Sequence, residues 1–141
     1  AADAAVVAEI STASRHAAMP TVRWAHTAEE DRAWVANVLL VQEEVWLAEA
    51  DGVAAGFVAL HEDWVSQLYL RPGWWRRGIG SALLDHAKGL RPGGLRLWCF
   101  QVNARGRAFY ERHGFVVDHM TDGAGNEERE PDMLYRWTSA V

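Results

Sequence analysis

The sequence predicts a single domain of the α/β class, in which helices cover both faces of a mixed, mostly antiparallel sheet. Three apolar segments follow one another between residues 45 and 70 with only short turns between them, which is typical of an antiparallel meander. A glycine-containing loop and a helix then separate the third segment from a fourth, and such a strand–helix–strand connection makes its two strands parallel. The length of 141 residues suits one hydrophobic core.

The first half of the chain carries signals for two helices and three strands. An alanine-rich stretch from Asp3 to Ala18 has apolar residues at helical spacing. Thr27 and Glu30 have the spacing of a capping box, which predicts that a second helix begins after Thr27. The predicted strands are Val45–Ala50, Val53–His61 and Trp64–Leu70, with turns at Asp51-Gly52 and Glu62-Asp63.

The second half alternates helices with strands. Apolar residues at helical spacing predict a helix from Gly78 to about Lys88. Asn103 is a typical N-cap and Gly114 a typical C-terminal glycine, so another helix runs from Asn103 to about Arg112. The remaining predicted strands are Leu95–Phe100, Phe115–His119 and Met133–Thr138.

The loop before Gly78 is a candidate anion site. Gly78 and Gly80 let the backbone approach a ligand closely, and a helix N-terminus presents free N–H groups and a positive dipole end. The sequence is not a dinucleotide-binding loop, because Leu83 replaces the third glycine and Phe100 replaces the required acidic residue. It also lacks the Gly-Lys-Ser/Thr of a Walker loop, and alone it fits an ordinary glycine-rich turn equally well.

Composition argues against several classes of protein. A net charge of −5 does not favour generic nucleic-acid binding, and no apolar run approaches the ~18 residues of a membrane span. One cysteine, Cys99, permits no intrachain disulfide or clustered-cysteine metal site. We expect a cytoplasmic protein without signal peptide, metal or nucleic-acid partner.

Two motifs together identify a family. Arg76-Arg77-Gly78-Ile79-Gly80-Ser81 resembles the acetyl-CoA pyrophosphate loop of the GCN5-related N-acetyltransferase (GNAT) superfamily. Residues 103–115 resemble its second signature, Asn-x-x-Ala-x-x-Phe-Tyr-x-x-x-Gly-Phe, in the family's order and separation. The resemblance covers essentially the whole chain. It implies a GNAT-like fold in which the sheet is splayed between the strands Trp64–Leu70 and Leu95–Phe100, with the pantetheine arm of acetyl-CoA in the gap.

The chain departs from the family pattern at three places. Trp75 stands where the loop usually has Gln or Arg, which should be tolerated because the loop binds mainly through backbone N–H groups. Gly106 replaces a small Ala of the second motif, although glycine is the poorer helix former by about 1 kcal/mol. The family's first strand has no counterpart before Asp3, so we expect it to be missing from residues 1–141, which form one N-acetyltransferase domain.

The resemblance also implies a set of cofactor-binding residues. The loop contacts the pyrophosphate, the end of the third strand contacts the pantetheine and the thioester carbonyl, and Asn103 adds a side-chain contact to its capping role. The full implied set is Leu68, Tyr69, Leu70, Arg76, Arg77, Gly78, Ile79, Gly80, Ser81, Asn103, Arg105 and Tyr110.

Tyr110 is the implied general acid, because this tyrosine protonates the leaving CoA thiolate in the family; otherwise it is an aromatic residue packed beside Phe109. The acceptor amine, with a pKa near 10.4, must lose a proton before it attacks. His61 and Glu62 are candidate bases acting through water, and the alternative for both is a solvated turn. We expect His113 and His119 to be structural.

The loop between the last two strands is strongly acidic, with Glu127, Glu128, Glu130 and Asp132. It is either simply solvated or forms the rim of the acceptor site, where it would favour a cationic amine. In the second case Trp46, Trp64 or Tyr135 could supply an aromatic wall.

These observations predict an acetyl-CoA-dependent N-acetyltransferase. It would transfer an acetyl group to a primary amine of a small molecule by direct attack in a ternary complex. Two alternatives stay open: a protein acetyltransferase acting on a lysine or N-terminal amine, and a non-catalytic acyl-CoA-binding sensor. The expected partners are acetyl-CoA and the acceptor, with no membrane; a homodimer is a further possibility.

Overall fold

The computed structural model describes residues 2–19, 22, 27–75 and 77–138. Its helices are α1 (Ala2–Ala18), α2 (Ala28–Trp34), α3 (Leu40–Gln42), α4 (Ile79–Leu90) and α5 (Ala104–Arg112). Its strands are β1 (Glu44–Ala50), β2 (Val53–His61), β3 (Trp64–Leu70), β4 (Leu95–Phe100), β5 (Val116–Met120) and β6 (Asp132–Trp137). A π-helical segment, Val35–Leu39, joins α2 to α3, and a 3-10 turn, Pro72–Trp74, follows β3.

The six strands form one sheet in the order β1-β2-β3-β4-β6-β5. Only β3 and β4 are parallel, which confirms the predicted mixed sheet and the meander of its first three strands. Within these two fully described strands, Trp64 and Arg96 are the one paired position, whereas β4 pairs with β6 along its whole length. The strands β3 and β4 therefore separate toward Leu70 and Phe100, and the sheet opens between them.

Helices cover both faces of the sheet, as predicted, and β2 is therefore buried on both sides. Val58 and Leu60 of β2 belong to the core cluster that contains Leu84 and Ala87 of α4. Phe57 and Ala59 point the other way and pack with Val7 and Ile10 of α1. A strand with apolar residues on both faces needs a helical layer on each side.

The end of β3 is fixed in place by β2 and α1. A Cβ on Gly56 would lie 2.8 Å from the carbonyl oxygen of Tyr69, so only glycine allows β2 this close to β3. The Arg71 side chain donates from Nε to the Ala54 carbonyl at 2.9 Å and from Nη1 to Glu9 Oε1 at 2.6 Å. The residues that lead into the glycine loop therefore have a defined position.

The predicted helix signals agree with the structure. Thr27 and Glu30 form the capping box, with both reciprocal hydrogen bonds present. The strand expected at Phe115–His119 begins one residue later and runs to Met120, since Phe115 is buried in the core below it. Among the described residues, no helix combines the length and apolar character needed to cross a bilayer.

Candidate functional site

The gap between β3 and β4 widens into a cavity of about 810 Å³. It is lined by β3 from Val65 to Leu70, by β4 from Leu97 to Phe100, and by the first residues of α4 and α5. A ligand in this cavity would therefore contact both separated strands and two helix N-termini.

The first turn of α4 opens onto this cavity. Gly78 stands at the N-cap with φ +80°, a left-handed conformation that favours glycine, and it provides no side-chain hydrogen bond to the helix. The first bond of the helix runs from the Ala82 N–H to the Gly78 carbonyl at 3.0 Å. The N–H groups of Ile79, Gly80 and Ser81 thus have no acceptor within the helix and are available to an anion.

Gly80 and Arg77 shape the surroundings of that turn. A Cβ on Gly80 would lie 3.3 Å from both Leu70 Cδ1 and the Phe109 ring, so α4 begins in tight contact with β3 and α5. The Arg77 guanidinium lies 4.9 Å from the centre of the Trp74 ring, which holds this cation beside the loop. Arg76, predicted to bind the cofactor, lies outside the described residues.

The first turn of α5 is capped by a side chain. Asn103 Oδ1 accepts a hydrogen bond from the Gly106 N–H at 3.0 Å. A Cβ at position 106 would lie 2.4 Å from Asn103 Nδ2, so alanine there would displace this side chain. The glycine that departs from the family pattern therefore leaves room for the Asn103 amide in its present position.

A stacked pair explains the tryptophan at the other departure. The Arg105 guanidinium lies 4.1 Å from the centre of the Trp75 ring, and both residues line the cavity. The Arg105 cation on this side of the loop thus comes from α5, and its stacking on Trp75 holds it there. Sequence reasoning predicted Arg105 as a binding residue but missed the stacking, since the two residues are thirty positions apart.

Tyr110 and Asn103 line the same cavity, in keeping with their spacing of two helical turns. The Tyr110 ring packs against Phe109, Phe115 and Tyr135. Burial raises the pKa of its phenol well above the ordinary value, with smaller contributions from Cys99 and Tyr69. The phenol therefore stays protonated over the whole neutral range.

The cavity side of β3 carries polar groups. Leu68, Tyr69 and Leu70, predicted from the family, all line the cavity. Gln67 does so too, and its Oε1 is buried without a hydrogen-bond partner among the described residues. A buried acceptor of this kind normally needs a donor, so the cavity fits a ligand that carries an N–H or O–H group, such as an amide.

The two candidate bases lie away from Tyr110. His61 and Glu62 are exposed at the β2–β3 turn, at the paired end of β3, with His61 Nε2 3.3 Å from Glu62 Oε1. Neither lines the large cavity. His61 lines a shallow neighbouring cavity of about 280 Å³ that shares Val65, Ser66 and Trp98 with the large one. The structure therefore does not bring Tyr110 and these two residues together.

The opposite rim of the cavity is formed by the acidic loop, in which Thr121, Gly125, Asn126 and Asp132 line the cavity. Thr121 donates its hydroxyl proton to Asp132 Oδ1, and Asn126 Nδ2 donates to Asp132 Oδ2 at 3.2 Å. Burial raises the pKa of the Tyr69 phenol, and the charge of Glu128 adds a smaller rise. Of the four acidic residues in and beside this loop, Asp132 is thus the one that lines the cavity.

The aromatic residue at this rim is not one of the three expected. Trp98 lines the cavity, and its ring stacks on that of Trp64 at 6.4 Å and 7°. Trp46 packs on His86 instead, and the Tyr135 hydroxyl donates to the carboxylate of Glu111 at 2.6 Å. The expectation for Trp46 and Tyr135 is wrong, because their strand positions face other neighbours.

Comparison with known proteins agrees with this arrangement. The sequence profile of the acetyltransferase (GNAT) domain matches residues 41–117. The chain is 28% identical over 127 residues to peptidyl-lysine N-acetyltransferase YiaC of Escherichia coli K12, covering 84% of each protein. Apo YjaB from Escherichia coli superposes with a TM-score of 0.80 at 20% identity, over 99% of this chain and 93% of that one. The PaiA N-acetyltransferase of Thermoplasma acidophilum, solved with coenzyme A, gives 0.71 at 19% identity, over 97% and 93%.

The splayed sheet and the open helix N-terminus define the class, an acyltransferase fold with a cavity for a long, anionic acyl carrier. The chain belongs to the GNAT acetyltransferase family. This assignment confirms the predicted enzyme class and, with it, acetyl-CoA as the cosubstrate.

Proposed function

We propose that the protein transfers the acetyl group of acetyl-CoA to a cationic primary amine of a small molecule. The observation that carries the proposal is one cavity with three distinct parts. The N-terminus of α4 suits the pyrophosphate, the gap between β3 and β4 suits the pantetheine arm, and Tyr110 lines the same cavity. The Asp132 carboxylate in the lining suits a positively charged acceptor.

The proposed reaction is direct transfer. The neutral amine attacks the thioester carbonyl carbon, the carbon–sulfur bond breaks, and the thiolate takes the phenolic proton of Tyr110. The proton lost by the amine passes to water, and the phenol recovers its proton from solvent. Burial raises the pKa of Cys99, the thiol in this cavity, to about 12, so it stays protonated and gives no support to an acyl-cysteine route.

The acceptor side supports a cationic amine. Asp132 lines the cavity, and two hydrogen bonds hold its carboxylate. The indole of Trp98 is 48% exposed and stands at the same rim, where it can contact a cation or an apolar chain. An acceptor with an ammonium group and a short apolar body matches this combination.

A lysine side chain of a peptide is the second candidate. One observation favours it: the relative YiaC, similar over most of both chains, is named a peptidyl-lysine N-acetyltransferase. Lysine presents the same chemistry as a small alkylamine, an ammonium on an apolar chain. What separates the two candidates is whether flanking peptide residues contribute to recognition.

An acceptor panel with CoA release as the readout tests the proposal. It contains di- and polyamines, arylalkylamines, free amino acids and lysine peptides, each assayed at low and high salt. Turnover of small cationic amines with a specificity constant that falls as salt rises supports the proposal. Preference for lysine peptides supports the second candidate, and acetyl-CoA binding without turnover of any amine indicates a sensor.

A variant of the acidic rim makes the acceptor test sharper. Asp132→Asn removes a carboxylate from the cavity, and the specificity constant for a cationic amine should fall about fivefold, the size of one partly exposed ion pair. Glu49→Gln, an exposed change of the same charge on β1, is the matched control and should have no effect. Equal behaviour of the two variants would contradict the role of this rim.

A further inference from the structure

The first turn of α4 contacts a histidine that the mechanism does not use. The Ser81 hydroxyl lies 3.0 Å from Nε2 of His113, the residue that ends α5. The His113 ring packs against Phe109 at 4.7 Å, and its carbonyl accepts a hydrogen bond from Lys88 Nζ at 2.6 Å. The imidazole is thus held in a defined place beside the end of α4 to which we assign the pyrophosphate.

The hydrogen-bond capacity of Ser81 decides what His113 must do when an anion is bound. A serine hydroxyl has one proton to donate and can accept further bonds on its oxygen. If Ser81 donates that proton to a phosphate oxygen, its bond with His113 persists only when Nε2 carries a hydrogen and donates to Oγ, as it does in the neutral Nε2–H tautomer and in the protonated ring. The negative charge of the bound phosphate favours the protonated ring of the two. Such a chain of donors strengthens each of its bonds.

We propose that His113 is a positioning residue of the pyrophosphate site, which acts through the Ser81 hydroxyl and takes up a proton when acetyl-CoA binds. The inference rests on the proposed function, because it assumes the pyrophosphate at the start of α4. It makes acetyl-CoA affinity depend on pH through a group that does not touch the cosubstrate.

The charges around the imidazole set the direction of that dependence. Burial first, and then Lys88 on α4, lower the pKa of His113, with a smaller lowering from Arg112 on α5 and an opposing effect of Asp85 on α4. The ring is therefore neutral at pH 7 in the free protein. A bound pyrophosphate favours the protonated ring, so the complex holds more protons than its components. Affinity is greatest below the pKa of the free protein and decreases as pH rises through the pKa of the complex.

Calorimetry of acetyl-CoA binding between pH 5.5 and 8.5, in two buffers of different ionisation enthalpy, tests this inference. The parent should take up a proton on binding and bind about tenfold more tightly at low pH for each pH unit by which the pKa rises. In His113→Gln, whose amide can still donate to Ser81 but does not titrate, this gain over the neutral-pH affinity should disappear. Ser81→Ala should reduce it, and the double variant should be no weaker than the weaker single variant.

Two controls separate positioning from structure. His86→Gln, a histidine of α4 that packs on Trp46, should leave the pH dependence unchanged. S-acetylpantetheine lacks the pyrophosphate, so its turnover should be equal in the parent and in His113→Gln. Parent-like proton uptake in His113→Gln, or an equal loss with S-acetylpantetheine, would overturn the role of His113. If the parent itself fails to bind acetyl-CoA, the proposed function fails first and this inference with it.

Discussion

Two helices begin at the edge of the same cavity, and their first turns are built in opposite ways. α4 begins at Gly78, with φ +80° and no side-chain cap, so its first N–H groups have no partner in the helix, and its first turn lines the cavity. α5 begins at Asn103, whose side chain fills the corresponding position on the Gly106 N–H. A helix end that the protein does not satisfy itself is left for a ligand to satisfy.

The same contrast divides the work between the two helices. α4 offers the cavity its first backbone N–H groups and the Ser81 hydroxyl, whereas α5 offers side chains alone: the amide of Asn103, the guanidinium of Arg105 and the phenol of Tyr110. Substitution of the N-cap glycine of α4 should therefore act through backbone conformation, and substitutions on α5 through the loss of a particular group. Four variants, ordered by expected effect, test this division.

The largest effect should come from Gly78→Val. A β-branched residue is strained at φ +80°, and nothing within 4 Å of the position would clash, so the backbone itself must rotate. Losing two N–H bonds to a charged phosphate, at about 1.5–3 kcal/mol each, should weaken acetyl-CoA binding about 100-fold or more. Isothermal titration measures the affinity.

Gly89→Val is the matched control for that prediction. Gly89 lies near the other end of α4, has ordinary helical φ, and a Cβ added there would also have nothing within 4 Å. It should bind acetyl-CoA like the parent. Equal affinities of the two variants would mean that the start of α4 is not the anion site.

Tyr110→Phe should act on turnover and not on binding. Removing the phenolic proton should lower kcat about 100-fold, the small end for a general acid, because a thiolate leaves readily without help. The ring remains, so the acetyl-CoA affinity should stay within about twofold. Since burial raises the pKa of Tyr110 well above its ordinary value near 10, kcat of the parent should show no loss from phenol ionisation below pH 10.

Tyr135→Phe distinguishes chemistry from packing in that experiment. This second buried tyrosine donates to Glu111 at 2.6 Å and does not line the cavity. Its loss should lower the free energy of unfolding by about 1–3 kcal/mol, measured by urea denaturation, with kcat preserved. A Tyr110→Phe enzyme with the parent's kcat and lower stability would reduce Tyr110 to a packing residue.

The sequence predicts one side of the cavity much better than the other, and the reason is chain distance. The loop before α4 and the helix α5 are continuous stretches, so their glycines, cap and tyrosine form readable motifs. The opposite rim combines Trp98, Asp132 and Tyr69 from three strands, and only the folded sheet brings them together. For the same reason the stacking of Arg105 on Trp75 and the bond between Ser81 and His113 were not predicted.

More of the fold than of the site could be predicted, because the fold is signalled by local periodicities and turns. β3, α4 and β4 follow from apolar spacing and glycines, and the handedness of their connection then fixes the parallel pair. The turn that contains His61 and Glu62 can also be predicted from the sequence. No local pattern, however, tells which end of β3 lies at the cavity.

Asn103→Asp should separate capping from binding on α5. An aspartate caps a helix as well as an asparagine does, so the free energy of unfolding should change by less than about 0.5 kcal/mol. The variant loses the amide donors of Nδ2, and the acetyl-CoA affinity should fall about fivefold, the size of one hydrogen bond. Asn103→Ala, which loses both functions, should also lose about 1 kcal/mol of stability. Parent-like binding by Asn103→Asp would mean that Asn103 is a cap alone.

Gly106→Ala should have the smallest effect on acetyl-CoA affinity. Comparing that affinity with the free energy of unfolding tests how closely the Asn103 cap and the cavity are linked. Alanine in place of a helical glycine gains about 1 kcal/mol of helix propensity. Here the new Cβ would lie 2.4 Å from Asn103 Nδ2 and displace the amide, which costs about 1 kcal/mol of capping. The free energy of unfolding should therefore barely change, while the acetyl-CoA affinity falls about threefold because the displaced amide no longer faces the cavity. Gly89→Ala, with open space around it, should gain the full propensity term and bind like the parent. If Gly106→Ala is stabilised as much as Gly89→Ala and keeps its affinity, the position of the Asn103 amide is not what makes α5 differ from α4.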